Sequence, residues 1–170
     1  SNSSTADYEQ VTLPSGLSGI YEERFQIQPI SIRNLVNSAF VTIAHLREPF
    51  SLELLEHINP ELHKEFLEFI INNFSDLFSF VNSNRFQVNH DRLRNFLLQY
   101  NSLNIQYLNV EILISNAVDQ LEQNKNSDLS FYSLKHLSKH LLFLGQRDIE
   151  DNRLYKISTD LSFFKKQYEE

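Results

Sequence analysis

The chain has 170 residues, enough for one compact domain or two very small ones, and its 41% hydrophobic content with only 3 Gly and 4 Pro excludes a fibrous or disordered protein. Without Cys it has neither a disulfide framework nor a thiolate metal site, and 14 Phe against no Trp and no Met leave Phe, Leu and Ile to build the core. A net charge of −7 argues against generic DNA binding, and no apolar run approaches the length of a membrane span, so a cytoplasmic protein is the expectation.

Residues 1–19 are Ser-rich, hold two of the three Gly and lack periodicity, which reads as a flexible arm. Phe25, Ile27 and Ile30 are expected to lie extended along the domain. The first clear helix is 31–46, with Ser31 as cap and Ile32, Leu35, Val36, Ala39, Phe40 and Ile43 on one stripe. Pro49 ends it, and Ser51 caps a short helix carrying Leu52, Leu55 and Ile58. Asn59-Pro60 is expected to open a third helix, with Leu62, Phe66, Phe69, Ile70 and Asn73 at helical spacing.

The apolar period then changes from helical to alternating. Phe78 and Phe80 flank Ser79, Asn82 to Asn84 supply a polar turn, and Phe86 and Val88 flank Gln87, which predicts a hairpin pairing 78–80 with 86–88. Three helices followed by a hairpin is the helix-turn-helix-wing order, so the fold class is mainly α, a winged-helix-like domain over 20–100. Asn89 or Asp91 is expected to cap a further helix with Leu93, Phe96, Leu97 and Tyr100 inward. Phe40, Phe66, Ile70, Phe78, Val88 and Leu93 are expected to share one core.

Residues 101–170 form the expected helical C-terminal subdomain, with a degenerate second winged-helix-like unit as a variant of that reading. Residues 101–109 read as a polar connector and Asn109 as the cap of a helix carrying Val110, Leu113, Ile114, Ala117, Val118 and Leu121. Gln123–Ser127 read as a solvated loop. Asp128 or Ser130 would cap the next helix, with Phe131, Leu134, Leu137, Leu141 and Leu144 and a Gly145 stop. Leu154–Ile157 read as a short strand, and Thr159 as the cap of a last helix with Leu161, Phe164 and Tyr168.

Residues 64–89, KEFLEFIINNFSDLFSFVNSNRFQVN, resemble the signature end of LOTUS domains, also called OST-HTH domains. Phe66-Leu67, the run Asn73 to Phe78, and the wing residues Phe80, Phe86 and Val88 stand where that family has a helix running into an aromatic wing. The resemblance spans about 70 residues, 31–100, and the helix after the wing is similar to that of the extended subtype. Such a resemblance implies binding of a DEAD-box RNA helicase of the Vasa type, whereas the compact subtype implies RNA.

Neither a nucleotide-binding glycine loop nor a hydrolase or metalloprotease motif occurs, which points to a non-enzymatic chain without cofactor or metal. His136 and His140 share a helix face four residues apart, but Lys135 and Lys139 flank them, and the pattern reads as a solvated face. Charge is more informative. From 48 to 76 the acids are Glu48, Glu53, Glu56, Glu61, Glu65, Glu68 and Asp76, with Lys64 the only Lys or Arg. Glu61, Glu65 and Glu68 sit on the helix that would enter a DNA major groove, where they repel phosphate, so groove reading is disfavoured. Glu53, Glu56, Glu61, Glu65 and Glu68 are therefore the candidate site for a protein partner with a basic surface. The alternative is RNA contact through Arg85, His90, Arg92 and Arg94. A bacterial or viral effector of unrelated all-α fold is a further alternative.

Overall fold

The structure, a computed structural model, describes residues 15–82, 84–123, 127–145 and 152–160. The chain divides into two compact units, Ser1–Asn34 and Leu35–Glu170. In the first, α1 runs Ser15–Gln26 and α2 begins at Ile30. The arm expected over 1–19 therefore gives way to helix at residue 15, residues 1–14 lying outside the described ones, and Phe25 is helical and buried rather than extended. Arg33 Nη2 donates to the carbonyls of Gln26 at 2.6 Å and Gln28 at 3.2 Å, tying the end of α1 to the start of α2.

The second unit is organised around the end of α2 (Ile30–His45). From Ala39 to His45 every residue is buried, so this segment is covered on all sides rather than along one stripe. A short link with a single-residue bridge leads to α3 (Leu52–Ile58), capped by Ser51, whose Oγ accepts from the Leu54 N–H at 3.0 Å. Asn59-Pro60 does not start the next helix. Asn59 instead forms an Asx-type turn, its Oδ1 accepting from the Glu61 N–H at 3.1 Å, and α4 opens later, at Lys64–Asn73. Leu62, in that turn, is fully buried, which holds the detour against the core.

After a 3-10 turn at Ser75–Leu77, β1 (Phe78–Asn82) and β2 (Arg85–Val88) pair antiparallel with Phe78 opposite Val88, Ser79 opposite Gln87 and Phe80 opposite Phe86. This is the register that the alternation predicts. The sequence gives no hint of a third element: Phe50, between α2 and α3, exchanges both backbone hydrogen bonds with Phe86, each 2.8 Å. Helix, one-residue strand, two helices, hairpin is the strand placement of a winged helix, and the fold is mainly α with this small hairpin.

The core under the wing is aromatic. The Phe40 ring meets Phe74 edge-on at 5.0 Å and stacks on Phe78 at 5.8 Å, and Phe50 lies 6.0 Å from both Phe78 and Phe86. Phe40, Phe66, Ile70, Phe78 and Leu93 are buried as expected, whereas Val88 is only half-buried at the end of its strand. Phe80 stays 70% exposed on the wing, leaning on Phe86 at 4.8 Å.

α5 (Asp91–Tyr100) has His90 at its N-cap position with no side-chain cap, so neither Asn89 nor Asp91 serves as one. α6 spans Leu103–Glu122 from a Ser102 cap, absorbing the expected connector and placing Asn109 inside the helix. α7 spans Asp128–Leu144, capped by Ser127 rather than Asp128 or Ser130, and ends at Gly145 with φ of 54°, the left-handed region that favours glycine. α6 and α7 pack along each other, and α3 packs on α4, α6 and α7, so the C-terminal helices complete the core begun by the winged half. Residues 154–157, expected as a strand, belong to helix α8 (Arg153–Thr159), anchored by Arg153, whose guanidinium makes two hydrogen bonds to Glu111 at 2.7 and 3.0 Å. The helix expected from Thr159 onward falls at 161–170, and most of the loop at 124–126, both outside the described residues.

Candidate interaction site

The two charged surfaces that the sequence singles out differ in what holds their side chains. On α4, Phe66, Leu67, Ile70 and Ile71 turn inward, which forces Glu65 and Glu68 outward by helical geometry. Glu53, Glu61, Glu65 and Glu68 are exposed and Glu56, on α3, is half-buried. Lys64 Nζ lies 3.9 Å from Glu68 Oε1 with side chains 67% and 51% exposed, a solvent-screened pair of little energetic weight. Among the described residues Glu53, Glu56, Glu61 and Glu65 make no ion pair, so the acidic face is open and nearly unneutralised.

The basic edge is not one free patch. Arg85 donates from Nη1 to the Pro49 carbonyl at 3.0 Å and from Nη2 to both Asp128 oxygens at 3.4 Å. Asp128 also accepts from Ser51 Oγ at 2.7 Å, so one carboxylate joins β2, the start of α3 and the start of α7. Arg94 donates through Nε to the Ala44 carbonyl at 2.8 Å, near the C-terminal end of α2, where a cation also complements the helix dipole. Only His90 and Arg92 of the alternative set are exposed.

A polar junction that sequence reading misses links the link after α2 to α7. His136 Nε2 is 3.4 Å from Glu48 Oε2, with Lys135 Nζ 3.9 Å from the same oxygen. Tyr132 Oη accepts from the Arg47 N–H at 3.2 Å and lies 2.8 Å from His140 Nε2. The Tyr132 hydroxyl and His140 Nε2 share one hydrogen bond, and His140 Nδ1 is a buried atom without a partner among the described residues. The His136–His140 pair is thus no solvated face. His140 is fully buried and His136 half-buried, the one bonded to Tyr132 and the other to Glu48. Among the described residues no three His, Asp or Glu side chains converge at metal-ligand spacing.

Burial fixes the protonation of this junction. Desolvation lowers the His140 pKa to about 3, aided by the charges of Arg47 and Arg94, and raises that of the Tyr132 hydroxyl. Desolvation likewise lowers His45 to about 4 and lowers His136 against the pull of Glu48. His45 is held by α6: Gln106 Nε2 donates to the carbonyls of Leu98 at 2.6 Å and Asn101 at 2.9 Å, so its Oε1 accepts from His45 Nε2 at 3.2 Å. One turn along, Asn109 Oδ1 accepts from Ser38 Oγ at 2.7 Å and is 3.2 Å from Thr42 Oγ1. The available signal was spacing: Tyr132, His136 and His140 recur every four residues, as do Ser38 and Thr42, and Gln106 and Asn109 are three apart.

Comparison of the chain with family models, with curated proteins and with solved structures finds no match.

Proposed function

We propose that this chain is a non-enzymatic protein-interaction module that receives a basic protein surface on the acidic face of α3 and α4. One observation carries the reading. Glu53 on α3, Glu61 in the turn that follows, and Glu65 and Glu68 on α4 stand exposed with only Lys64 opposing them, and α4 is the helix where a nucleic-acid-reading winged helix needs cations. An open, single-sign rim accelerates encounter with an oppositely charged partner and discriminates against acidic ones. The RNA reading loses support from the same inspection, because Arg85 and Arg94 spend donors on the protein's own backbone and on Asp128. The resemblance to extended LOTUS domains makes an RNA helicase in an RNA–protein assembly the first partner to test.

The test is charge reversal. Immobilised wild-type chain and a Glu61→Lys, Glu65→Lys, Glu68→Lys triple variant are compared for capture of lysate proteins and of a purified Vasa-type helicase, with and without nuclease. Nuclease-resistant capture of the helicase that the triple variant loses is the expected result. Capture that survives the triple variant, or that disappears with nuclease, overturns the assignment of this face.

A further inference from the structure

Between the end of α2, the link to α3, the end of β2 and the start of α5 lies a cleft of about 180 Å³. Its walls are apolar at Ile43, Leu46, Pro49, Phe50 and Val88, while its polar groups are Arg47, Glu48, Gln87, His90, Asp91 and Arg94. Arg47 and Arg94 face two carboxylates, Glu48 and Asp91, across this lining. Glu48 is already engaged by Lys135 and His136. Neither Arg47 nor Arg94 has a carboxylate within ion-pair distance among the described residues, although Arg94 is half-buried. A half-buried guanidinium without a counter-charge forfeits solvation without recovering it, unless an anion arrives. Arg94 is also oriented: its Nε is spent on the Ala44 carbonyl, which leaves both terminal nitrogens of the fork for another acceptor. At the start of α5, where His90 offers no side-chain cap, the Leu93 and Arg94 amides bond to the His90 carbonyl, while those of Asp91 and Arg92 have no acceptor among the described residues.

We propose that this cleft is a binding site for a phosphate group, either inorganic phosphate or the phosphate of a small monoester, held between Arg47 and Arg94 with His90 at the rim. A tetrahedral dianion suits it better than a carboxylate, because two guanidinium forks and the unpaired Asp91 amide offer donors from more than one direction and the apolar walls strengthen each contact. The Asp91 carboxylate also lines the cleft and opposes any anion there, so the two guanidinium groups must outweigh it. The site is independent of the acidic face and of the partner assigned to it.

The experiment follows the Arg Nε–Hε and backbone amide resonances of the 15N-labelled chain during titration with inorganic phosphate, with O-phosphoserine, and with chloride at matched ionic strength. Expected are saturable shifts at Arg94 Nε–Hε and at the Asp91 amide with a phosphate ligand and not with chloride. Affinity should fall about tenfold or more in Arg94→Gln and in Arg47→Gln, as loss of a charge-assisted hydrogen bond demands, and stay unchanged in Arg92→Gln, which lies outside the cleft. Tighter binding of O-phosphoserine than of phosphate assigns the site to esters, and the reverse to the free anion. Because the Arg47 side chain makes no hydrogen bond among the described residues, its variant tests the site even if Arg94→Gln perturbs the fold. Shifts that grow linearly with concentration, that chloride reproduces, or that survive Arg47→Gln overturn the proposal. So does single-stranded oligonucleotide binding that depends on Arg92 as much as on Arg94.

Discussion

Along α3 and α4 the acidic side chains stand clear of the protein, while along β2 and α5 two of three arginines reach back into it. Both stretches look alike in the sequence, a run of one charge on a helix or beside a hairpin. The difference lies in what lies within reach of each side chain. Glu65 and Glu68 project from an element whose inner face is already filled by Phe66, Leu67, Ile70 and Ile71, and Glu61 stands exposed in the turn before it. Arg85 and Arg94 instead pass close to carbonyls that their own elements cannot satisfy, those of Pro49 and Ala44. A charged residue on a filled helix is surface; one beside an orphan carbonyl becomes part of the scaffold.

The acidic face depends most on the side chain beneath it. Phe66 is 8% exposed, with its ring 6.0 Å from that of Phe69, and it seats α4 so that the acids face out. Phe66→Ala should cost about 3–5 kcal/mol by lost transfer energy and the cavity left behind. A denaturant midpoint unchanged by this substitution would show that the stripe does not hold the face in place.

Buried imidazoles extend the same logic to cations that the fold refuses. His45 and His140 have folded pKa values lowered to about 4 and about 3, below the ordinary value of 6.5. Below pH 6.5 the unfolded chain binds protons that the folded chain does not, so stability is full above that pH and falls as pH drops toward 4. The slope should approach about 1.4 kcal/mol per pH unit for each histidine. Urea unfolding at a series of pH values between neutrality and 5 reads it, and a flat profile would mean that both rings accept a proton in place.

Arginine substitutions then sharpen the contrast within one edge. Arg85→Ala should destabilise by about 1–3 kcal/mol, since it strands a partly buried Asp128 carboxylate and frees the Pro49 carbonyl. Arg92→Ala, at an exposed position without a partner among the described residues, should stay within about 0.5 kcal/mol of wild type. Equal thermal shifts for the two would dissolve the distinction between scaffold and surface cations. The Glu61, Glu65, Glu68 triple reversal to Lys should likewise change stability little, by less than about 1 kcal/mol for the three together, mostly through the helix start, where Glu65 complements the dipole. A larger loss in calorimetry would place those acids among the structural charges and remove them as a free docking face.

What the sequence determined alone are the features carried by local periodicity. The stripe of α4, the alternation of the hairpin and its register, the Ser51 cap and the Gly145 stop all depend on residues within a few positions of each other, and helical or extended geometry converts such spacing directly into faces and turns. Tertiary structure decided whatever depends on a partner distant in the chain. The Phe50–Phe86 bridge joins residues with no shared period. Asn109 and Gln106 read as a polar connector because their partners, Ser38, Thr42 and His45, lie on another helix, and a buried amide is indistinguishable in sequence from a solvated one. His136 and His140 became interior for the same reason, with Glu48 and Tyr132 supplying the hydrogen bonds that water would otherwise give. Charge followed suit: its sign is written in the chain, but whether it is spent on a carbonyl, a carboxylate or the solvent is settled by what folding brings within about 3 Å of it.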